Sequence, residues 1–225
     1  MENYNNEIMK EFAKYGNEND LLEIEDLALN TQIVIKKSKP NYNHGFLIFA
    51  ALSHYLLTSQ KESQISCLDI GTARGFSALM MSLVLKKYDK PNNIITIDTV
   101  PHTEKRKWNC ILDGKKGISR KEIVDRFTYS QNIIFMNGKS SEILKRLHMN
   151  RIEFAFVDGD HRWRSLKHEI EFIEGRQEKN DIILFDDFTP KNYPDVVKAV
   201  NKLAKKYHVK TFGNSERGYA LLTKF

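Results

Sequence analysis

Two short motifs gather the groups that could do chemistry in this 225-residue chain: Asp158-Gly159-Asp160-His161 and Asp186-Asp187, each directly after an apolar run. If both runs are strands of one parallel sheet, the motifs sit at its carboxyl end, where ligands of such sheets gather. Four carboxylates then converge. Like charges a few ångströms apart raise one another's pKa and destabilise the site unless a cation neutralises them. All-oxygen donors suit Mg²⁺ or another hard divalent ion better than Zn²⁺, which recruits Cys or several His. Taken singly, Asp160 or Asp187 also reads as a helix cap; the pair of motifs favours metal. His161, with an ordinary pKa of roughly 6.5, suits either a base at neutral pH or a partner that orients a ligand.

A second constellation lies upstream. Asp69-Ile70-Gly71-Thr72-Ala73-Arg74-Gly75 places small residues at alternate positions after an acid, so a ligand can approach the backbone closely. The glycines are out of phase with the GxGxxG of a dinucleotide fold, which disfavours NAD.

The elements that must position these groups follow from the pattern of the chain. Short β-type runs alternate with helical spacing, which predicts a parallel sheet. Ile65 to Ile70, Ile94 to Asp98, Ile133 to Met136, Ile152 to Val157 and Asp181 to Phe185 read as strands. Phe76 to Lys87, Glu142 to Leu147 capped by Ser140, Arg164 to Ile173, and a segment from Pro194 with an apolar stripe read as helices. Val209 to Phe212 and Tyr219 to Leu222 flank a Gly213 to Gly218 loop as an antiparallel hairpin. Residues 1–40 form an N-terminal helical extension, residues 41–225 the main domain, and 99–130 are long and polar enough to be an insert.

The glycine loop, D-x-G-x-(G/A)-x-G, resembles motif I of class I S-adenosylmethionine-dependent methyltransferases. That resemblance implies a Rossmann-like, doubly wound, seven-stranded and mostly parallel sheet with the antiparallel hairpin at its end. It implies S-adenosylmethionine as cofactor, held by Asp69, Gly71, Thr72, Ala73 and Gly75, with Phe76 and Ser77 at the amino-acid carboxylate. Asp98 would bond the ribose hydroxyls, Gly138 and Ser140 would line the adenine, and Asp158 would border the same site. With the two acidic motifs, the chain is similar to metal-dependent bacterial small-molecule and sugar O-methyltransferases over about Cys67 to Asp187. The metal ligands are then Asp158, Asp186 and Asp187, and Asp160 or His161 is the base. The catechol-type members carry an Asn and a Lys where this chain has Asp187 and His161, which argues against a catechol. The implied reaction moves a methyl group to a small-molecule hydroxyl, of a sugar or an anionic sugar conjugate.

Composition bounds the alternatives. The net charge is +6, yet residues 1–40 hold eight acids against five bases, and residues 101–126 hold eight bases against four acids. The basic segment is either a solvated face or a flap beside an anion pocket. Nucleic acid is disfavoured as a partner, because Asp158-Gly159-Asp160-His161 stands where base methyltransferases keep (N/D/S)PP(Y/F). RNA ribose methylation and a non-catalytic S-adenosylmethionine-binding module are the competing readings. Phe46 to Leu57 falls short of the roughly 20 apolar residues that span a bilayer, and the first residues lack a secretory pattern. No membrane association is expected, two Cys, Cys67 and Cys110, fit a reducing cytoplasm, and a homo-oligomer is compatible with the chain. His44, His54, His148, His168 and His208 read as surface or packing residues. Trp108 and Trp163 either wall a substrate pocket or pack beneath the insert.

Overall fold

Val-, Ile- and Phe-rich runs become central parallel strands because both faces of the sheet are covered, so every position must pack. The structure, a computed structural model, describes residues 6–32, 41–59, 61, 63–108, 113, 117–214 and 216–225. β1 (Ile65–Ile70), β2 (Asn92–Asp98), β3 (Ile133–Asn137), β4 (Phe154–Val157) and β5 (Ile182–Phe185) run parallel. β6 (Tyr207–Gly213) and β7 (Gly218–Lys224) form the expected hairpin, with β7 antiparallel to β5. The order β3-β2-β1-β4-β5-β7-β6 is the doubly wound, seven-stranded arrangement. Strand order reverses between β1 and β4, and a crevice opens there at the carboxyl ends.

Register aligns the two motif regions. Ile70 pairs with Val157 and Val157 with Phe185. The residues just past these pairs, Gly71, Asp158 and Asp186, are therefore neighbours along one rim. Backbone bonds continue there from Asp158 N–H to Ile70 O (2.8 Å) and from Asp186 N–H to Val157 O (3.1 Å).

Alternate strand residues feed two cores. On one face, Cys67, Phe154 and Phe156 pack with α1 (Asn6–Phe12), α2 (Glu18–Thr31), α3 (Asn43–Ser59) and α4 (Phe76–Lys87). On the other, Leu68, Ala155 and Val157 pack with α7 (Trp163–Glu174) and α8 (Pro194–Leu203). The apolar run Phe46 to Leu57 is the middle of α3, where Phe46, Ile48, Phe49 and Leu52 are fully buried. Each such side chain contributes about 1.5–3 kcal/mol by leaving water. The N-terminal helices add Ile8, Phe12, Ile24 and Leu27 to the same core. Among the described residues no helix is long and apolar enough to cross a membrane.

Three local expectations are corrected. β4 starts at Phe154, not Ile152; just before it, the buried Glu153 carboxylate accepts Ser66 N–H (2.9 Å) and pairs with Lys61. The helix expected over Glu142 to Leu147 is α6 (Ser140–Ile143). Ser140 does not cap it: Lys139 is the N-cap residue and makes no side-chain bond, while the Ser140 hydroxyl is turned to Glu169.

The insert contains α5 (Arg120–Val124) and folds back on the glycine loop, with Arg120 Nε donating to Ala73 O at 2.6 Å. Among its described residues, Lys105 pairs with Glu122, Lys121 with Asp125 and Arg106 with Glu104. Trp108 is buried and donates to Ile118 O, so it packs beneath the insert. Trp163 lies under Lys198, with the ammonium 4.0 Å from the ring centroid. Cys67 is a free, buried thiol, and Cys110 lies outside the described residues.

Candidate active site

The rim at the sheet reversal is built first from the glycine loop. Gly71 takes φ +99°, with its backbone against the Asp158 carbonyl. The Asp98 carboxylate fixes the loop by accepting Ala73 N–H at 2.7 Å through one oxygen and Val100 N–H at 2.6 Å through the other. Arg120 approaches the same carboxylate at 3.5 Å. Two clefts flank the loop. One, of about 430 Å³, is lined by Gly71, Ala73, Asp98, Gly138, Ser140 and Asp158. The other, of about 340 Å³, is lined by Thr72, Ala73, Phe76, Ser77, His44 and Asp158. Of the residues expected to hold a cofactor, Asp69 and Gly75 line neither cleft.

Asp69 is instead an internal support. It is fully buried and accepts the Thr96 hydroxyl, which also meets Thr72. Burial pushes its carboxyl up to about 6. A raised carboxyl pKa stabilises the fold at low pH, and that contribution disappears as pH rises through the folded value. Wild-type stability should therefore fall relative to Asp69→Asn between pH 4 and 7, by on the order of 2–3 kcal/mol. Thermal melts of both proteins across that range check this; parallel pH profiles would refute it.

The acidic motifs resolve into three environments rather than one cluster of four carboxylates. Oxygen atoms of Asp158 and Asp187 and a ring nitrogen of His161 lie within 4.8 Å of one another. His161 Nε2 is 3.5 Å from Asp158 Oδ1 and 3.7 Å from Asp187 Oδ2, and it is buried without a hydrogen-bond partner. Its ring stands edge-on to Tyr193 at 4.3 Å. Burial and the Asp186 carboxylate raise the Asp158 and Asp187 carboxyls, while the neighbouring Asp158 carboxylate raises the imidazole.

Asp186 sits deeper, 1% exposed, with Arg217 Nη2 at 3.3 Å and the Asp187 N–H at 2.7 Å. Asp160 points the other way. Arg162 grips it through Nε (2.8 Å) and Nη2 (2.7 Å) and Ser165 donates to it, which holds its carboxyl well below the ordinary range. Sequence proximity had grouped four acids; an arginine claims each of two.

Sequence reasoning passed over two residues of this rim. His44, at the start of α3, stacks on Phe156, stands edge-on to Phe76 and lies 4.0 Å from Asp186. Burial and Arg217 push its imidazole down to about 3, so it is a neutral group in the cleft wall. Arg217 lies in the loop read only as a hairpin turn. The hint in the sequence was the charged pair Glu216-Arg217 ahead of Gly218 in an otherwise small, polar turn.

A family profile described as "Methyltransferase domain" matches residues 68–188. Uncharacterized protein R132 of Acanthamoeba polyphaga mimivirus is 29% identical over 161 residues, which are 70% of this chain and 66% of that protein. The chain thus spans just under two thirds of that relative. Among solved structures, the O-methyltransferase NovP superposes with a TM-score of 0.64 at 13% identity, over 91% of this chain and 98% of that one. Cofactor-bound Rv0187 from MTB gives 0.59 at 14% identity, over 97% and 95%. The SAH-bound Podospora anserina methyltransferase PaMTH1 gives 0.57 at 15% identity, over 99% and 97%. At these identities the likeness is one of fold.

Proposed function

Since the chain belongs to the methyltransferase-domain family, we propose that it is a metal-dependent O-methyltransferase that moves the methyl group of S-adenosylmethionine to a hydroxyl of a small molecule. The observation that carries this reading is the meeting of Asp158, His161 and Asp187 where both clefts of the glycine loop reach Asp158. The residues present fit both absent groups. Gly71 and Ala73 line both clefts beside Asp158, and the unpartnered His161 nitrogen faces two carboxylates that burial makes costly without a cation. Asp158 and Asp187 would hold a divalent ion, and Asp186 is already neutralised by Arg217. Such an ion, when bound, lowers the pKa of a hydroxyl and orients it.

The chain's own residues then have distinct tasks. His161 takes the hydroxyl proton as the sulfonium–carbon bond breaks and the oxygen–carbon bond forms, and the flanking carboxylates stabilise the resulting imidazolium. Asp160, tied to Arg162, is the poorer proton acceptor. Asp98 and the loop backbone hold the cofactor in line for displacement. A sugar acceptor is supported by the Asp186-Asp187 pair.

Methyl transfer to a panel of vicinal diols and sugars should fall about a hundredfold or more on chelation and return with Mg²⁺ or Mn²⁺. Unchanged turnover in metal-free enzyme would refute the cation. Tight S-adenosylhomocysteine binding with no product from any acceptor would favour a binding module.

A further inference from the structure

Glu169 is fully buried on α7, behind the wall of the larger cleft. Ser140 Oγ donates to its Oε1 at 2.5 Å, and its Oε2 has no hydrogen-bond partner. Among the described residues no lysine or arginine pairs with it. Burial pushes its carboxyl up to about 7. A buried, half-satisfied carboxyl is destabilising, and a Leu or Met would pack α7 at lower cost. Its chemistry differs from theirs in one respect: the oxygen facing Ser140 takes the hydroxyl's hydrogen bond, and any proton the carboxyl carries resides on the unpartnered Oε2. The single Ser140 proton is therefore committed to α7. Toward the cleft, Ser140 presents lone pairs only.

We propose that Glu169 is a positioning residue that fixes the polarity of Ser140, so that the cleft selects a purine bearing an amino rather than an oxo group at its six position. This rests on the S-adenosylmethionine reading of the cleft. The placement follows from the sheet: with the transferable methyl near Asp158 on β4, Gly71 follows on β1, Asp98 on β2, and Gly138 to Ser141 at the end of β3. An extended nucleoside whose ribose lies at Asp98 puts its base against Ser140. An adenine amine donates to the Ser140 lone pairs. A six-oxo purine meets them with another acceptor.

The test compares S-adenosylhomocysteine with its inosyl analogue by calorimetry on wild type, Glu169→Gln and Ser140→Ala, with a thermal melt of each protein. A Gln at 169 can turn its amide nitrogen to Ser140, which frees the hydroxyl to rotate. Wild type should prefer the adenosyl ligand, and that preference should drop about fivefold in each variant, the size of one net hydrogen bond. KM for S-adenosylmethionine should rise while kcat at saturation holds. A purely structural role would move the melting temperature without moving the ratio of the two affinities. An unchanged ratio in a folded Glu169→Gln overturns the proposal; if that variant does not fold, an unchanged ratio in Ser140→Ala does so. Wild type binding neither ligand would overturn the cofactor reading and this proposal with it. Binding of both with an unmoved ratio overturns this proposal alone.

Discussion

Asp158→Asn is expected to lower methyl transfer at least about a hundredfold while leaving the protein folded. Asp158 is the residue common to both clefts and to the group of converging donors. Removing its charge removes a ligand for the cation and one of the two carboxylates that steady His161. Folding should not suffer. Burial and Asp186 already raise this carboxyl, so its ionised form opposes the fold, and a neutral isostere should keep or raise the melting temperature. Asp160→Asn is the contrasting variant: it weakens the bonds to Ser165 and to Arg162, whose side chain is 72% exposed, and turnover should stay within a few-fold of wild type. Initial rates and thermal melts of both variants decide the matter. Wild-type turnover in Asp158→Asn would remove the basis for the whole site.

The parts of this site that were legible in the sequence are those fixed by periodicity and chain order. Buried strands such as Ile65–Ile70 and Ile182–Phe185 announce themselves as apolar runs, and a motif directly after such a run must lie at the strand's carboxyl end. Parallel pairing then brings Gly71, Asp158 and Asp186 to one rim, whatever the loops do. Charge pairing between distant segments left no such trace. Arg217 reaches Asp186 only because β7 is inserted beside β5, and Glu169 reaches Ser140 only through the packing of α6 on α7. The hairpin reading gave Arg217 no role, whereas the fold uses it to neutralise one of the predicted metal ligands. Ser140 failed as a cap for the same reason: its hydroxyl has a tertiary partner that outcompetes the local one. His44 heads a helix whose apolar run reads as plain core, and only the seating of α3 against β4 and α4 brings its ring near a carboxylate.

Gly71→Ala is expected to destabilise the protein by about 3 kcal/mol or more and to abolish S-adenosylhomocysteine binding. Two effects add. The backbone at φ +99° is one that an L-residue adopts only under strain. A Cβ built there would lie 2.0 Å from the Asp158 carbonyl oxygen and 2.6 Å from its carbon, and both are backbone atoms that cannot swing aside as a side chain does. To admit the methyl group, β1 and β4 must separate at the rim, which breaks the Asp158 N–H bond to Ile70 O and shifts the very residue on which catalysis depends. In a chain of this length about 3 kcal/mol corresponds to a fall of roughly 6–12 °C in melting temperature. Gly159→Ala controls for the general effect of added bulk. Its nearest contact would be the Ile70 Cγ2 methyl at 2.9 Å, a side-chain atom that can move, and it should melt closer to wild type. Equal melting temperatures for the two variants, or retained ligand binding in Gly71→Ala, would mean that the glycine loop does not press on Asp158, and the coupling of cofactor loop to carboxylate rim would have to be abandoned.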